Sequence, residues 1–288
     1  MIPNKYFLPV IRFVLPVAVA TAAICSPLTL RGGVEVSYAW SLRNLLSSGS
    51  AGDRKETPAK SVFILLDKTA SISDQKTIFK SAIDTVLDSM KAGDTLRLAE
   101  ITGDSVSDFD FKVSVDLPTK PKYNMLTTNS AEYEEKLEKF KQNLAAQKEK
   151  IRKLAMVELN KKPTAMMTDL FGAIYTANLY LEKTNNRKIL LILSDMVEED
   201  NHWRFNKVHW TKKLEAKILA KQRKLSLVPD MRGTCVVVVG AKASSVDREQ
   251  WIRKFWTDYF HEAKASFDNT MYSHALLHWP ETESCGKK

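Results

Sequence analysis

The chain has 288 residues, 44% of them hydrophobic and 27% charged, with a formal charge of +9. Burial of that much apolar side chain can offset the entropy of ordering the backbone, which excludes a disordered polymer; the length fits one large domain or two small fused ones. The positive balance favours acidic partners without choosing among anionic lipid, nucleic acid and protein carboxylates.

In chain order, Lys5 and Arg12 precede an uncharged stretch from Phe13 to Ala23 that carries the small-residue pattern Ala20-Thr21-Ala22, as an export signal does. The apolar run continues through Cys25 to Leu30, about eighteen residues, enough for a hydrophobic helix to cross a bilayer uncleaved. Residues 1–30 therefore read as a signal peptide or a signal anchor, and both readings stand. Ile24 before Cys25 argues against a lipoprotein signal, which needs a small residue there. The flanking basic residues fit a cytoplasmic N-terminus, which places the remainder in the periplasm or another extracytoplasmic space, anchored in the inner membrane if the segment is retained. Residues 31–60 read as a flexible tether, turning to Ser, Gly, Pro and charge from Ser47 onward.

Residues 61–288 are expected to form the folded domain. Ser61 to Leu66 is a strand, followed by a helix with Ile78, Ile83, Val86, Leu87 and Met90 at helical spacing. Gly93-Asp94 marks a turn into a second strand at Thr95 to Ile101, and Phe109 to Leu117 alternates as a third, antiparallel one. Ala131 to Asn160 is a long amphipathic helix with Leu137, Phe140, Leu144, Ile151 and Leu154 on one face, read as packing on the sheet. A helix at Leu170 to Glu182, a strand at Lys188 to Leu193, a basic helix, a strand at Thr234 to Val239 and a helix at Val246 to Lys264 follow. Met271 to His278 reads as a last edge strand. Near-continuous apolar strands alternating with helices indicate a three-layer, doubly wound α/β fold with a mostly parallel sheet and one antiparallel edge strand.

The three cysteines, Cys25, Cys235 and Cys285, lack zinc-site spacing. Cys235 reads as a buried small hydrophobe, while Cys25 and Cys285 are free to pair in an oxidising compartment. The basic stretch Arg204, Lys207, Lys212, Lys213, Lys217, Lys221, Arg223 and Lys224 reads as a solvated helix face, since no stacking aromatics or reading helix mark specific nucleic-acid binding. The histidines read as packing or surface groups, because neither a G-x-S-x-G elbow nor a G-x-x-x-x-G-K loop is present.

In parallel sheets ligands gather outside the carboxyl ends of strands, so chemistry is sought in the polar residues that end each apolar run. Three segments stand out: Asp67-Lys68-Thr69-Ala70-Ser71, Thr168-Asp169-Leu170 and Ser194-Asp195. Asp67, Thr69, Ser71, Thr168 and Asp195 supply two carboxylates and three hydroxyls, an all-oxygen set suited to one divalent cation, magnesium first, manganese or calcium otherwise. The bland alternative is that Ser71, Ser73, Thr168 or Asp169 simply caps a helix. Glu198, Glu199 and Asp200 follow closely and read as a solvated acidic loop.

This pattern resembles the metal-ion-dependent adhesion site of the von Willebrand factor A family, D-x-S-x-S after the first strand, a later threonine, and an aspartate after a central strand. Thr69 stands where the family has serine, and Met167 where it commonly has glycine. The resemblance spans roughly Ser61 to Lys264 and implies a Rossmann-like sheet whose cation keeps one position for a partner's carboxylate. It thus implies binding to a protein that presents an acidic residue, not catalysis. Two other classes stay open: a structural subunit of an envelope or secretion assembly with a vestigial metal site, and a phosphatase-like enzyme. The latter resembles D-x-D at its nucleophile, where this chain has Thr69.

Overall fold

The computed structural model describes residues 58–69, 72, 74–124, 129–163, 166–277 and 279–280, all within a compact unit at residues 56–288. The expected signal or anchor, most of the tether, Ser71, Cys25 and Cys285 lie outside the described residues. Among the described residues no helix is long and apolar enough to cross a membrane.

Strand β1, Lys60–Asp67, is buried along its whole length, as a central strand covered on both faces must be. Its side chains alternate between two cores: Phe63 and Leu65 enter one, Val62, Ile64 and Leu66 the other. Strands β4, Arg187–Leu193, and β5, Thr234–Val239, divide their apolar residues in the same way. With β2, Thr95–Ile101, β3, Phe111–Asp116, and the two-residue β6, Tyr272–Ser273, they form one sheet ordered β3-β2-β1-β4-β5-β6. All pairings are parallel except β2 with β3, where the register slips between Leu98 and Ala99. The expected antiparallel edge is therefore present, and the last edge strand is much shorter than Met271 to His278.

Five helices among the described residues cover the two faces. Helix α1, Lys76–Ser89, and the C-terminal part of α2, Ser130–Asn160, close one core. Helices α3, Leu170–Leu181, α4, Lys212–Lys224, and α5, Val246–Glu262, close the other. That second core is aromatic, with Phe171, Phe205, Phe255, Trp256, Tyr259 and Phe260 packed edge to face or tilted. Asn129, Asp169, Thr211 and Ser245 cap helices α2 to α5 by accepting main-chain N–H bonds.

Helix α2 packs on the sheet as expected, but only through its C-terminal part. It lies against α1 and β3, and only Ile151, Ala155, Glu158 and Leu159 are buried. Leu154 is 39% exposed, so the apolar face drawn from spacing alone runs wider than the face that packs. The salt links of Arg152 with Asp84 at 2.8 Å and Asp88 at 3.2 Å join α2 to α1 where that face ends. In the basic helix α4 the buried residues are Glu215, Ile218, Leu219 and Gln222, while Leu225 is exposed. Cys235 is buried, as expected, and is also disulfide-bonded.

Candidate metal centre

The chain runs from β1 outward through β2 and β3, then returns to lay β4 on the opposite side of β1. The winding reverses between β1 and β4, and the carboxyl ends of these two strands form the crevice where open α/β sheets bind ligands. Asp67 ends β1 there, and Ser194-Asp195 follow β4 directly.

Asp67 is completely buried. Its Oδ1 accepts bonds from the Thr69 main-chain N–H at 2.9 Å and the Thr69 hydroxyl at 2.8 Å; its Oδ2 accepts from the Ser194 hydroxyl at 2.7 Å. Burial pushes its carboxyl above the usual aspartate range, while the bonds from Thr69 and Ser194 pull it back. All these donors are neutral. The adjacent Lys68 ammonium, also buried, pairs instead with Glu100 on β2 and, at 4.0 Å, with Glu158 on α2.

Ser194 has a second role, because its hydroxyl oxygen accepts the Met196 N–H at 2.9 Å. Met196 is buried with φ 64°, a left-handed conformation that a methionine adopts only when its surroundings impose it. The Trp256 indole N–H donates to the Met196 carbonyl at 2.9 Å and holds this turn from the aromatic core. Asp195 accepts the Val197 N–H at 2.9 Å, the tight local turn that follows from its short acidic side chain.

Thr168 reaches the same rim by a different route. Its N–H and carbonyl bond Glu199 at 2.7 and 3.0 Å, and Asp169 N–H bonds the Thr102 carbonyl just past β2 at 2.8 Å. The loop before α3 is thereby sewn to the loop after β4 and to the end of β2. Four of the five expected ligands, Asp67, Thr69, Thr168 and Asp195, thus lie at or beyond the carboxyl ends of the strands, each at least nine-tenths buried. Asp169 is the N-cap of α3, so the capping alternative holds for that residue.

The donors at these strand ends are oxygens, suited to a hard cation, and among the described residues the Asp67 carboxylate is bonded by neutral groups, so the residues fit a divalent ion. Among the described residues no three His, Cys, Asp or Glu side chains group as a metal site, so a cation here depends on the hydroxyls of Thr69 and Thr168 as much as on carboxylates.

Glu198 corrects the reading of the acidic run as a solvated loop: it is fully buried, and its Oε2 accepts the Leu170 N–H at 2.8 Å at the start of α3. Burial raises its carboxyl well above the ordinary value of 4.5, and Asp169 and Asp200 push the same way. The folded chain therefore holds this proton more tightly than the unfolded chain does. Stability contributed by the protonated acid is present at low pH and is lost progressively as pH rises from about 4.5 toward the raised value. Glu198→Gln keeps an oxygen for Leu170 and removes the ionisation. Its Tm should exceed that of the parent at pH 8 by more than at pH 5; a difference independent of pH would count against this assignment. No sequence signal separates Glu198 from Glu199, because its burial comes from the distant aromatic core.

No protein-family model and no curated protein matches the chain. Among solved structures it is similar to the manganese-loaded TRAP protein of Plasmodium vivax, with 12% identity over 75% of this chain and 68% of that one, at a TM-score of 0.33. It is also similar to the three N-terminal domains of the type V pili tip protein Mfa5 of Porphyromonas gingivalis, with 12% identity, 66% of this chain, 29% of that one and a TM-score of 0.29. At these values neither likeness transfers a family or a ligand, and what stands is the mixed α/β fold, a mostly parallel six-stranded sheet with an antiparallel edge pair.

Proposed function

We propose that this chain is a von Willebrand factor A-like binding domain that takes one divalent cation at the β1–β4 crevice and captures a partner protein through an acidic residue. The observation that carries the reading is Asp67, wholly buried at the switch point, whose hydrogen-bond donors among the described residues are the neutral groups of Thr69 and Ser194. The Thr69, Ser71 and Thr168 hydroxyls would hold the ion with Asp67 and Asp195. Magnesium fits this oxygen set, as manganese and calcium do to a lesser degree. A shell rich in neutral hydroxyls leaves the ion's charge incompletely neutralised, so an incoming carboxylate gains strongly. The ion supplies binding; the sequence carries neither a G-x-S-x-G elbow nor a G-x-x-x-x-G-K loop that would point to catalysis instead. Residues 1–30 would carry the domain across a membrane or anchor it there, with residues 31–60 as the tether.

Capture of the partner from intact membranes should fail in chelator and return when magnesium is restored. Capture that persists in chelator would mean that binding uses another face. A vestigial metal site in a structural subunit makes a different prediction, namely no gain in Tm on titration with magnesium or manganese, whereas true binding raises stability by mass action.

A further inference from the structure

A second site opens beside the loop that precedes α3. A cleft of about 280 Å³ lies between that loop, the loop after β2 and the end of α4, near the lower size limit of small-ligand sites. Asp104, Asp169 and Asp200 line it, and among the described residues none of the three is in an ion pair. Each is instead fixed by main-chain donors: Asp104 by Ser107 at 3.1 Å, Asp169 by Gly172 at 2.8 Å and Ser105 at 2.9 Å, Asp200 by His202 at 2.6 Å. In a chain of formal charge +9 this is a local inversion of sign. Lys221 also lines the cleft, with its ammonium 5.4 Å from the centre of the Trp203 ring.

A different observation asks for a hydrogen-bond donor. Gln222, 2% exposed, lines the same cleft, and its side-chain oxygen has no hydrogen-bond partner. A buried amide oxygen left unpaired costs free energy, which a ligand N–H would recover. Asn201 and His202 also line the cleft, and Phe171, Leu225 and Leu227 give it an apolar wall.

We infer that this cleft receives an arginine side chain of a partner protein. Three carboxylates and an amide oxygen spread around an open space match the planar guanidinium, which offers five donors in a fixed fork, better than the point charge of an ammonium. They do not converge as a metal site. The apolar wall suits the aliphatic stem of the same side chain, which packs while its charged head stays polar.

The test is ligand-observed saturation-transfer NMR and titration calorimetry on the full chain with N-acetyl-arginine amide, its lysine counterpart, and the neutral isostere N-acetyl-citrulline amide. The arginine compound should bind at least tenfold more tightly than either of the others. Asp104→Asn combined with Asp200→Asn keeps an acceptor for each main-chain donor while removing two charges, and should weaken binding at least tenfold. Gln222→Leu should weaken it by a smaller factor. Chelator and Asp67→Ala should leave it unchanged, which separates this site from the metal reading. Equal binding of the citrulline or lysine compound, an unaffected double Asn variant with its Tm retained, or no arginine signal at 10 mM ligand (about the weakest binding worth testing) would each overturn the assignment.

Discussion

Asp67→Ala is expected to abolish the rise in Tm that magnesium gives the parent chain. Binding to the native state alone stabilises by about 2.7 kcal/mol at a ligand concentration of a hundred times Kd. For a domain of this size that corresponds to roughly 5–10 °C. The substitution also has a cost without metal, because it removes the acceptor for the Thr69 N–H, the Thr69 hydroxyl and the Ser194 hydroxyl inside a fully buried site. Asp67→Asn is therefore the companion variant, keeping an acceptor for Thr69 while losing the charge. Differential scanning calorimetry with and without magnesium reads both effects. A magnesium response that survives in Asp67→Ala removes this residue from the site.

Trp256→Ala is expected to produce the largest loss of stability of any single change at the site's support, about 3–5 kcal/mol by the usual cost of deleting a fully buried aromatic. The indole is wholly buried, with ring centres 5.0 Å from Phe171 and 5.2 Å from Tyr259, and it holds the Met196 carbonyl. Trp256→Phe keeps most of the packing and removes the N–H, so it should cost about 1 kcal/mol for the lost hydrogen bond and its desolvated acceptor. Because Met196 follows Asp195 and sits at φ 64°, Trp256→Phe should also weaken the magnesium response more than its stability loss alone predicts. Urea unfolding read by fluorescence checks the first effect and magnesium titration the second. A loss below about 1 kcal/mol in Trp256→Ala would mean that the core closes over the gap, against the packing density of protein interiors.

Much of the fold was legible because it rests on local periodicity. The runs at residues 61–66, 188–193 and 234–239 are apolar on both alternate faces, which only a strand covered on both sides can satisfy, and all three became central strands. The polar residues that end those runs pointed to the carboxyl rim, and Asp67, Thr69, Thr168 and Asp195 lie there. Asp169, offered by the sequence as a helix cap, does cap α3, and Thr211 and Ser245 cap α4 and α5 by the same chemistry.

Other features depend on what returns to meet a residue from far along the chain. Glu198 looks solvated in sequence, yet it is fully buried against the start of α3, and Lys68, to which the sequence assigns no partner, is buried and paired with Glu100 and Glu158. Ser194 looked like a neighbour of Asp195 and proved to be the bond between β4 and Asp67. Leu154 kept its place in the helical pattern of α2 and still faces solvent, because that pattern states which face is apolar and not whether a surface exists to cover it.

By itself, then, the sequence determined the strand and helix order, the division of apolar residues between two faces, and the oxygen-bearing residues at the strand ends, since each is set within a few residues by pleat, helical turn and capping. Only the tertiary structure decided the strand order that puts β1 beside β4, the burial of Lys68 and Glu198, and the cleft among Asp104, Asp169 and Asp200. Those depend on contacts between residues tens of positions apart, where the free energy of burying a charge is set by partners that no local pattern names.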